Sequence, residues 1–511
     1  MEKKNAIIIF VMLLMPLMAY SDAVEIDGIY YNLIKKASMA EVAEAPKRYT
    51  GDIVIPDSVI YDGQTYHVTS IGSMAFAHCT QLKSVKIANS VTAINQEAFA
   101  ECRNIKEIPL PDSLKTIGSM AFYHCAEMES VSIPATVEKV GSYIFTNCTG
   151  LKAVYIKDLK SWCRLSWTGG NPLACAHTLY VNGEEVKDLV IPEGIPTIGE
   201  AAFGGCDMVS VTIPNSVTSI ESYAFDGCKN LTAVTLPNSI DSICSNTFAR
   251  CSALKSIEIP ANIRSIGYFA FNECTALTDI TFHEGLTSIG INAFGYCSSL
   301  TKIDLPSTIT YVGEGCFSDC TSLQSMPDLG SVTEIRSYCF NNCTSLASIA
   351  ISDKVTTIGM QVFWGCTGLT SITIPDNVET IEASAFYDCK NVTTISIGKG
   401  IKEIGFSAFS NIPELTDVYC YAEKVPQTHL DAFAGSYIEY ATLHVPESAT
   451  DAYKAVAPWN QFKNFFDPTS IPSLLQESNS ASPIYDLSGR RCLNVKGKGI
   501  FIQNGKKFVT R

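Results

Sequence analysis

Residues 254–276 read LKSIEIPANIRSIGYFAFNECTA. Leu254, Ile257 and Ile259 form an L-x-x-I-x-I segment. It is too short for a helix and ends in the two-residue period of a strand. Pro260 cannot continue a central ladder, so a turn must follow. Ile263 and Ile266 mark a second extended piece. Gly267, Ala270, Phe271 and Cys274 close the unit as G-x-x-A-F-x-x-C, compatible with one or two turns of helix or 3₁₀ structure. A unit of this size cannot bury its own apolar face, but stacked copies can.

Copies are present along most of the chain. Equivalent phenylalanines fall at 76, 99, 122 and 145, then at 203, 225, 248, 271, 294, 317, 340, 363, 386, 409 and 433. Nearly every step is 23 residues, and the exceptional 58-residue gap from Phe145 to Phe203 equals two periods plus 12. An insertion is therefore expected near 157–194. The spacing predicts a repeat solenoid with parallel strands on one face and short helical or 3₁₀ turns on the other. At an inter-strand spacing of roughly 4.8 Å, fifteen coils would span about 70 Å.

The bulk composition agrees with an ordered chain rich in internal surface. Of 511 residues, 46% are hydrophobic and only 17% charged, against roughly 25% charged in an average globular chain. The formal net charge of −14 opposes a nonspecific grip on nucleic acid or anionic lipid. Lys3 and Lys4, an apolar run from Ala6 to Met18, and small residues around Ala19-Tyr20-Ser21 read as a secretory signal peptide over 1–21. That run is too short for a comfortable membrane span, and no later stretch is apolar for long enough. The mature chain is expected to have no transmembrane segment and to be monomeric, secreted or held at the outer cell surface.

Cysteine at fixed spacing raises the question of chemistry. Thirteen cysteines follow a repeat phenylalanine by three residues, among them the pairs Phe76 and Cys79, Phe99 and Cys102, Phe271 and Cys274, and Phe294 and Cys297. Zinc needs four ligands converging on one point, which a line of thiols one coil apart does not supply. A disulfide ladder needs stacked side chains to turn toward each other, and thirteen is odd. A column of buried thiols fits better, since free cysteine packs as a small hydrophobe, and Ile412 and Ser436 take its place in the last two units. Cys163 and Cys175, both in the insertion, form the best disulfide candidate. No catalytic triad, metal-binding helix motif or phosphate-cradling loop occurs, so neither an enzyme nor a bound cofactor is expected.

The unit resembles the leucine-rich repeats, and within them the BspA-like bacterial type, with its L-x-S-I-x-I-P…V-x-x-I-G-x-x-A-F-x-x-C pattern. The likeness covers about residues 68–420. YYNL (31–34) and GDIVIPDSVIYDGQTYHVTSIG (51–72) look like the family's N-terminal cap. LHVPESATDAYKAVAPWNQFKNF (443–465) looks like its C-terminal cap. The insertion at 161–194 looks like a variant repeat, and its TLYVNGEEVKDLVI carries a hairpin signal at Asn182-Gly183. The chain thus divides into a signal peptide (1–21), N-terminal cap (22–67), solenoid (68–420), C-terminal cap (421–467), linker (468–482) and basic tail (483–511).

The resemblance implies that side chains pointing out of the strands make a binding surface. They include Ala153 and Tyr155, Ser256 and Glu258, Asp279 and Thr281, Lys302 and Asp304, and Asp417 and Tyr419. In the insertion, Trp162, Trp167 and Tyr180 are further candidates, either as a binding loop or as a structural accommodation. Tyr155, Tyr180, Tyr419, Glu258, Asp279, Lys302 and Asp304 would meet a protein of host matrix or cell surface in adhesion, or a glycan. Alternatively, the Ser and Thr that dominate this face suit a half-exposed strand and recognise nothing, leaving a structural spacer. The tail carries seven Lys or Arg and one acid. It resembles the C-terminal sorting signal of the type IX secretion system of Bacteroidota, and otherwise reads as a capping hairpin or a basic patch. Two strands are expected in it, at 484–487 and at 499–510, the latter folded at Asn504-Gly505.

Overall fold

The computed structural model describes residues 23–466, 484–486, 499–503 and 506–510. The segments read as a signal peptide (1–21) and a linker (468–482), together with Cys492, lie outside the described residues.

The repeats build a parallel-strand β-solenoid. The L-x-x-I-x-I segments pair in register one coil apart. Ile257 of Ser256–Glu258 lies beside Ile280 of Asp279–Thr281, and Ile372, Ile395 and Val418 align across three successive strands. The second extended piece forms another column, in which Ser265–Ile266 pairs with Ser242–Ile243 and with Ser288–Ile289. Each strand puts its Ile inward and its neighbours outward, as the two-residue period requires. The remainder of each coil is the crossover that any parallel pair needs.

The Phe-x-x-Cys segment departs from the helical expectation. The residues two before and two after the repeat phenylalanine take left-handed backbone: Phe269 and Glu273 around Phe271, Asn292 and Tyr296 around Phe294, Asn342 after Phe340. A right-handed helical turn cannot hold such residues. Alternation of hand turns the N–H groups of positions −2, 0 and +2 toward the next coil. Phe269, Phe271 and Glu273 donate to the carbonyls of Ile291, Ala293 and Gly295 at 2.9, 2.8 and 2.8 Å. The intervening amides close local turns, as in Asn272 N–H to Phe269 O at 3.1 Å. Alternate amides of this face thus join coil to coil, while those between them are satisfied within the coil. Gly267 precedes it because a Cβ there would stand 2.7 Å from the backbone nitrogen of Ser245.

Behind the inward strand residues run two further columns, of phenylalanine and of cysteine. The phenylalanine rings stack nearly parallel, with centroids 4.9 Å apart for Phe76 and Phe99 and 5.3 Å for Phe271 and Phe294. Tyr49 closes the column at one end, 4.7 Å from Phe76. Trp459 and Phe462 close the other, edge-on to Phe433 at 5.6 and 5.8 Å. These rings come from the segments read as caps, where hairpin strands (Val24–Ile26, Ile29–Ile34) and a short helix (Thr450–Lys454) shield the ends of the stack.

The cysteine column is also a hydrogen-bond ladder. The thiol of Cys102 donates to the carbonyl oxygen of Phe76 at 3.0 Å, that of Cys274 to Phe248 and that of Cys297 to Phe271, one coil back each time. Ser436 does the same for Phe409 at 2.6 Å. Cys79, in the first coil, sits near Ala77 O instead. All nineteen described cysteines are free. Burial pushes these thiols up, Cys102 and Cys148 to about 12, so the reactive thiolate is suppressed.

The insertion becomes one variant coil. Asp158 caps a helix at Leu159–Cys163 by accepting from the amides of Lys160 and Ser161. A second short helix, Leu173–Ala176, leads to Leu179–Val181, which pairs parallel with the strand Ala153–Ile156. Its hairpin with Glu184–Glu185 turns through Asn182 and Gly183, both left-handed, as the Asn-Gly signal predicts. In the tail, Ile484–Asp486, Gly499–Gln503 and Lys506–Thr510 form an antiparallel sheet with Gln503 opposite Lys506.

Candidate functional site

The strand face is built by alternation. Flanking buried Ile257 and half-buried Ile280, the side chains of Ser256, Glu258, Asp279 and Thr281 are exposed. Because the strands pair in register, outward residues stack in columns one coil apart. Much of their polarity is spent locally. Where the strands start, Thr278 and Thr416 donate to the carbonyls of Lys255 and Thr393, 23 residues earlier, at 3.2 and 3.0 Å. Lys302 and Asp304 pair with each other at 2.6 Å, both exposed, an arrangement that contributes little to stability. Glu258 meets His283 at 3.3 Å.

Aromatic steps interrupt this polar face at two places. Tyr155 and Tyr180 lie opposite one another on adjacent strands, rings stacked at 4.8 Å, and Tyr155 is 39% exposed. Further along, Tyr419 stacks on His444 at 4.1 Å with planes 7° apart. The His444 ring is buried and its Nε2 lies 2.9 Å from an Asp417 carboxylate oxygen. Burial, with the Asp417 charge beside it, pushes the Tyr419 phenol up. Exposed Tyr421 and Phe466 flank the pair, at 6.4 Å from Tyr419 and 6.0 Å from His444. His444, Tyr421 and Phe466 were not apparent from the repeat pattern, because they belong to the irregular end of the stack.

Three sequence expectations are corrected. Trp162 and Trp167 offer no surface, since both are buried in the core. Trp167 takes the ladder place between coils, 6.5 Å from Phe145 and 4.9 Å from Trp162, and Trp162 Nε1 donates to Ala202 O at 2.9 Å. Large rings replace the missing phenylalanine, and their burial outweighs display. Ala153, expected outward, is buried at the start of the strand Ala153–Ile156, which is paired on both sides. Cys163 and Cys175 do not pair: Cys163 sits in the core, while Cys175 points its sulfur at Phe145 O, 3.8 Å away, in the thiol ladder.

Among the described residues, no group of three or more His, Cys, Asp and Glu side chains is arranged to hold a metal ion, and no helix is long and apolar enough to cross a membrane. The outward side chains of the in-register strands form a ribbon of rows one coil apart.

Comparisons with known proteins bear on this geometry. Residues 65–164, 177–274, 241–366 and 333–456 match the profile described as BspA type leucine rich repeat region (6 copies). No curated protein matches the chain. Among solved structures, a leucine-rich repeat protein from Bacteroides ovatus is 25% identical, with a TM-score of 0.51, over 83% of this chain and all of the other. A leucine rich cell surface protein from Faecalibacterium prausnitzii is 25% identical over 73% of this chain and 94% of its own, with a TM-score of 0.43. A leucine-rich repeat protein from Eubacterium ventriosum is 20% identical over 75% of this chain and 92% of its own, with a TM-score of 0.46. The matched segments run from the first thiol-bearing coil to the closing helix and cover most of the ladder: the chain belongs to the BspA-type leucine-rich repeat family.

Proposed function

We propose that this chain is a non-enzymatic binding scaffold, exported to the cell surface, whose strand face holds a macromolecular partner, a protein of host matrix or of another cell. The observation that carries the reading is the stacked, solvent-facing Tyr155–Tyr180 pair. Tyrosine supplies contact area at low entropic cost, and such rings anchor protein interfaces. A second step at Tyr419 lies on the same face, and the exposed Glu258, Asp279, Lys302 and Asp304 between them supply polar register. A partner spanning both steps would be extended. The leader at 1–21 and the basic tail at 483–511 support export, with the tail acting as a sorting signal.

The test is binding of the full mature chain to a panel of extracellular matrix and bacterial surface proteins. Tyr155→Ala with Tyr180→Ala should weaken a positive interaction at least tenfold, the order that loss of an interface anchor produces, without changing the melting temperature. A blank panel, or binding indifferent to both steps, would remove the strand face from consideration.

A further inference from the structure

A second surface lies on the turn face, made by the residues around each repeat phenylalanine. Three hollows of about 590, 440 and 530 Å³ follow one another there. The first, beginning at Tyr223, shares Glu273 with the second; the second shares Tyr296 and Asp319 with the third, which ends at Trp364. Together they make one trough across seven coils, from that of Phe225 to that of Phe363. At the coil spacing of about 4.8 Å its length is roughly 29 Å.

Three features decide what the trough can hold. Its rings are solvent-facing: Tyr223, Tyr268, Phe269, Tyr296, Tyr338 and Trp364 are all at least 36% exposed. Carboxamides and carboxylates stand between the rings, and some are held in place. Asp319 accepts from Ser318 Oγ at 2.7 Å and from Asn342 Nδ2 at 3.1 Å. The backbone is fully engaged: the amides of Asn292, Tyr296 and Asn342 donate to Glu314, Ser318 and Trp364 of the next coil. A peptide therefore finds no strand edge to extend. The charges complete the picture. Arg250 is held by Asp226 of the neighbouring coil, while Glu273, Glu314 and Asp319 line the hollows. An anionic chain is repelled.

We propose that the trough binds an extended, neutral oligosaccharide. A pyranose presents an apolar C–H face and a rim of hydroxyls. The faces stack on Tyr296, Tyr338 and Trp364, and the hydroxyls bond to Asp319, Asn342 and Gln361. The site is independent of the strand face and would stand if that reading fell.

The experiment is calorimetric titration of the full mature chain with neutral hexasaccharides of the cello-, malto-, xylo-, manno- and chito- series, beside a uronic-acid hexamer and a random dodecapeptide library. Binding of at least one neutral series is expected, strengthening from trisaccharide to hexasaccharide. Trp364→Ala or Tyr296→Ala should weaken it about tenfold, as loss of a ring contact implies, with unchanged thermal melts; Tyr155→Ala on the strand face should leave it intact. Absence of binding by every neutral series, indifference to Trp364→Ala and Tyr296→Ala, or preference for the uronic-acid hexamer would overturn the proposal. So would selection of peptides through the same two rings.

Discussion

The coil centred on Phe271 and the variant coil between Phe145 and Phe203 hold equivalent places in the stack but fill them differently. In the first, Phe271 stacks on its neighbours, its amide donates to Ala293 O at 2.8 Å, and Cys274 reaches back to Phe248 O at 3.2 Å. In the second, Trp167 supplies the ring, its amide donates to Glu200 O at 2.9 Å, and Cys175 reaches back to Phe145 O at 3.8 Å. The residues differ while three requirements persist: a ring in the column, an amide to the next coil and a polar hydrogen for the previous carbonyl. The family repeat is therefore a hydrogen-bonding and packing specification that side chains other than Phe and Cys can meet. Ser436 meets the third requirement with a hydroxyl, and Ile412 abandons it while keeping the volume.

The largest expected effect separates the regular thiols from those of the variant coil by pH. Ladder thiols such as Cys274 and Cys297 are fully buried, and burial pushes them well above the usual thiol value of 9.0. Cys175 is only half-buried, and its thiol is raised less. A group whose folded pKa is raised contributes stability that is fully present below its unfolded value and lost as pH rises. Above about pH 9 the unfolded chain releases these protons while the fold retains them. Each thiol then costs up to about 1.4 kcal/mol per pH unit. Thermal melts should fall steeply between pH 9 and 11 and change little from pH 7 to 8. At pH 8, iodoacetamide should reach Cys175 and Cys244, the two half-buried cysteines among the described residues, before fully buried thiols such as Cys274 and Cys297. Stability that stays flat to pH 11 would mean that the thiols are not sequestered as described.

Next in size is removal of the ring itself. Phe271→Ala should cost about 3–5 kcal/mol through lost burial and an unfilled cavity, read as a drop in denaturant midpoint. Trp167→Ala should cost as much, which places the variant coil in the same core. Trp167→Phe should cost far less, because it restores the family ring and removes an indole Nε1 that is buried without a partner. Should Trp167→Ala prove neutral, the insertion would be an appendage and the comparison would collapse.

The sequence made the regular coil legible because period is a one-dimensional signal. Phe271 and Cys274 recur at fixed distance, so their burial follows from counting. The left-handed residues beside them were legible in principle. Positions −2 and +2 are rich in Asn and Gly (Asn246, Asn292, Gly315, Asn342, Gly365), the residue types that tolerate that conformation, but the short segment suggests helix before it suggests alternation of hand. The insertion reads as a variant repeat, but the sequence leaves its tryptophans open between binding and structure. Trp167 lies 22 residues after Phe145, a step the repeat also takes from Phe203 to Phe225, yet no cysteine follows it by three, and Trp162 falls off the period altogether. The trough was invisible from period alone. Tyr268, Tyr296, Tyr338 and Trp364 sit at different offsets from their phenylalanines, so only three dimensions bring them into line. On the strand face, Tyr155 and Tyr180 were found because alternation marks outward positions, whereas His444 belongs to the irregular closing segment.

The smallest effect tests the third requirement alone. Cys274→Ala removes the hydrogen that the thiol gives to Phe248 O and leaves a small void, at an expected cost of about 1–2 kcal/mol. Cys274→Ser keeps the donor, as Ser436 does at 2.6 Å, and should recover part of that loss. Cys274→Val fills the space, as Ile412 does, but leaves the carbonyl to the single amide of Cys251. In the variant coil the sulfur stands farther off and half in solvent, so Cys175→Ala should cost under about 0.5 kcal/mol. Chemical denaturation of the four variants ranks donor against volume. If Val preserves stability better than Ser, the column is packing first and its hydrogen bonds are incidental. If Ser does, the carbonyl of each repeat phenylalanine explains why this family places a thiol, rather than a valine, three residues further on.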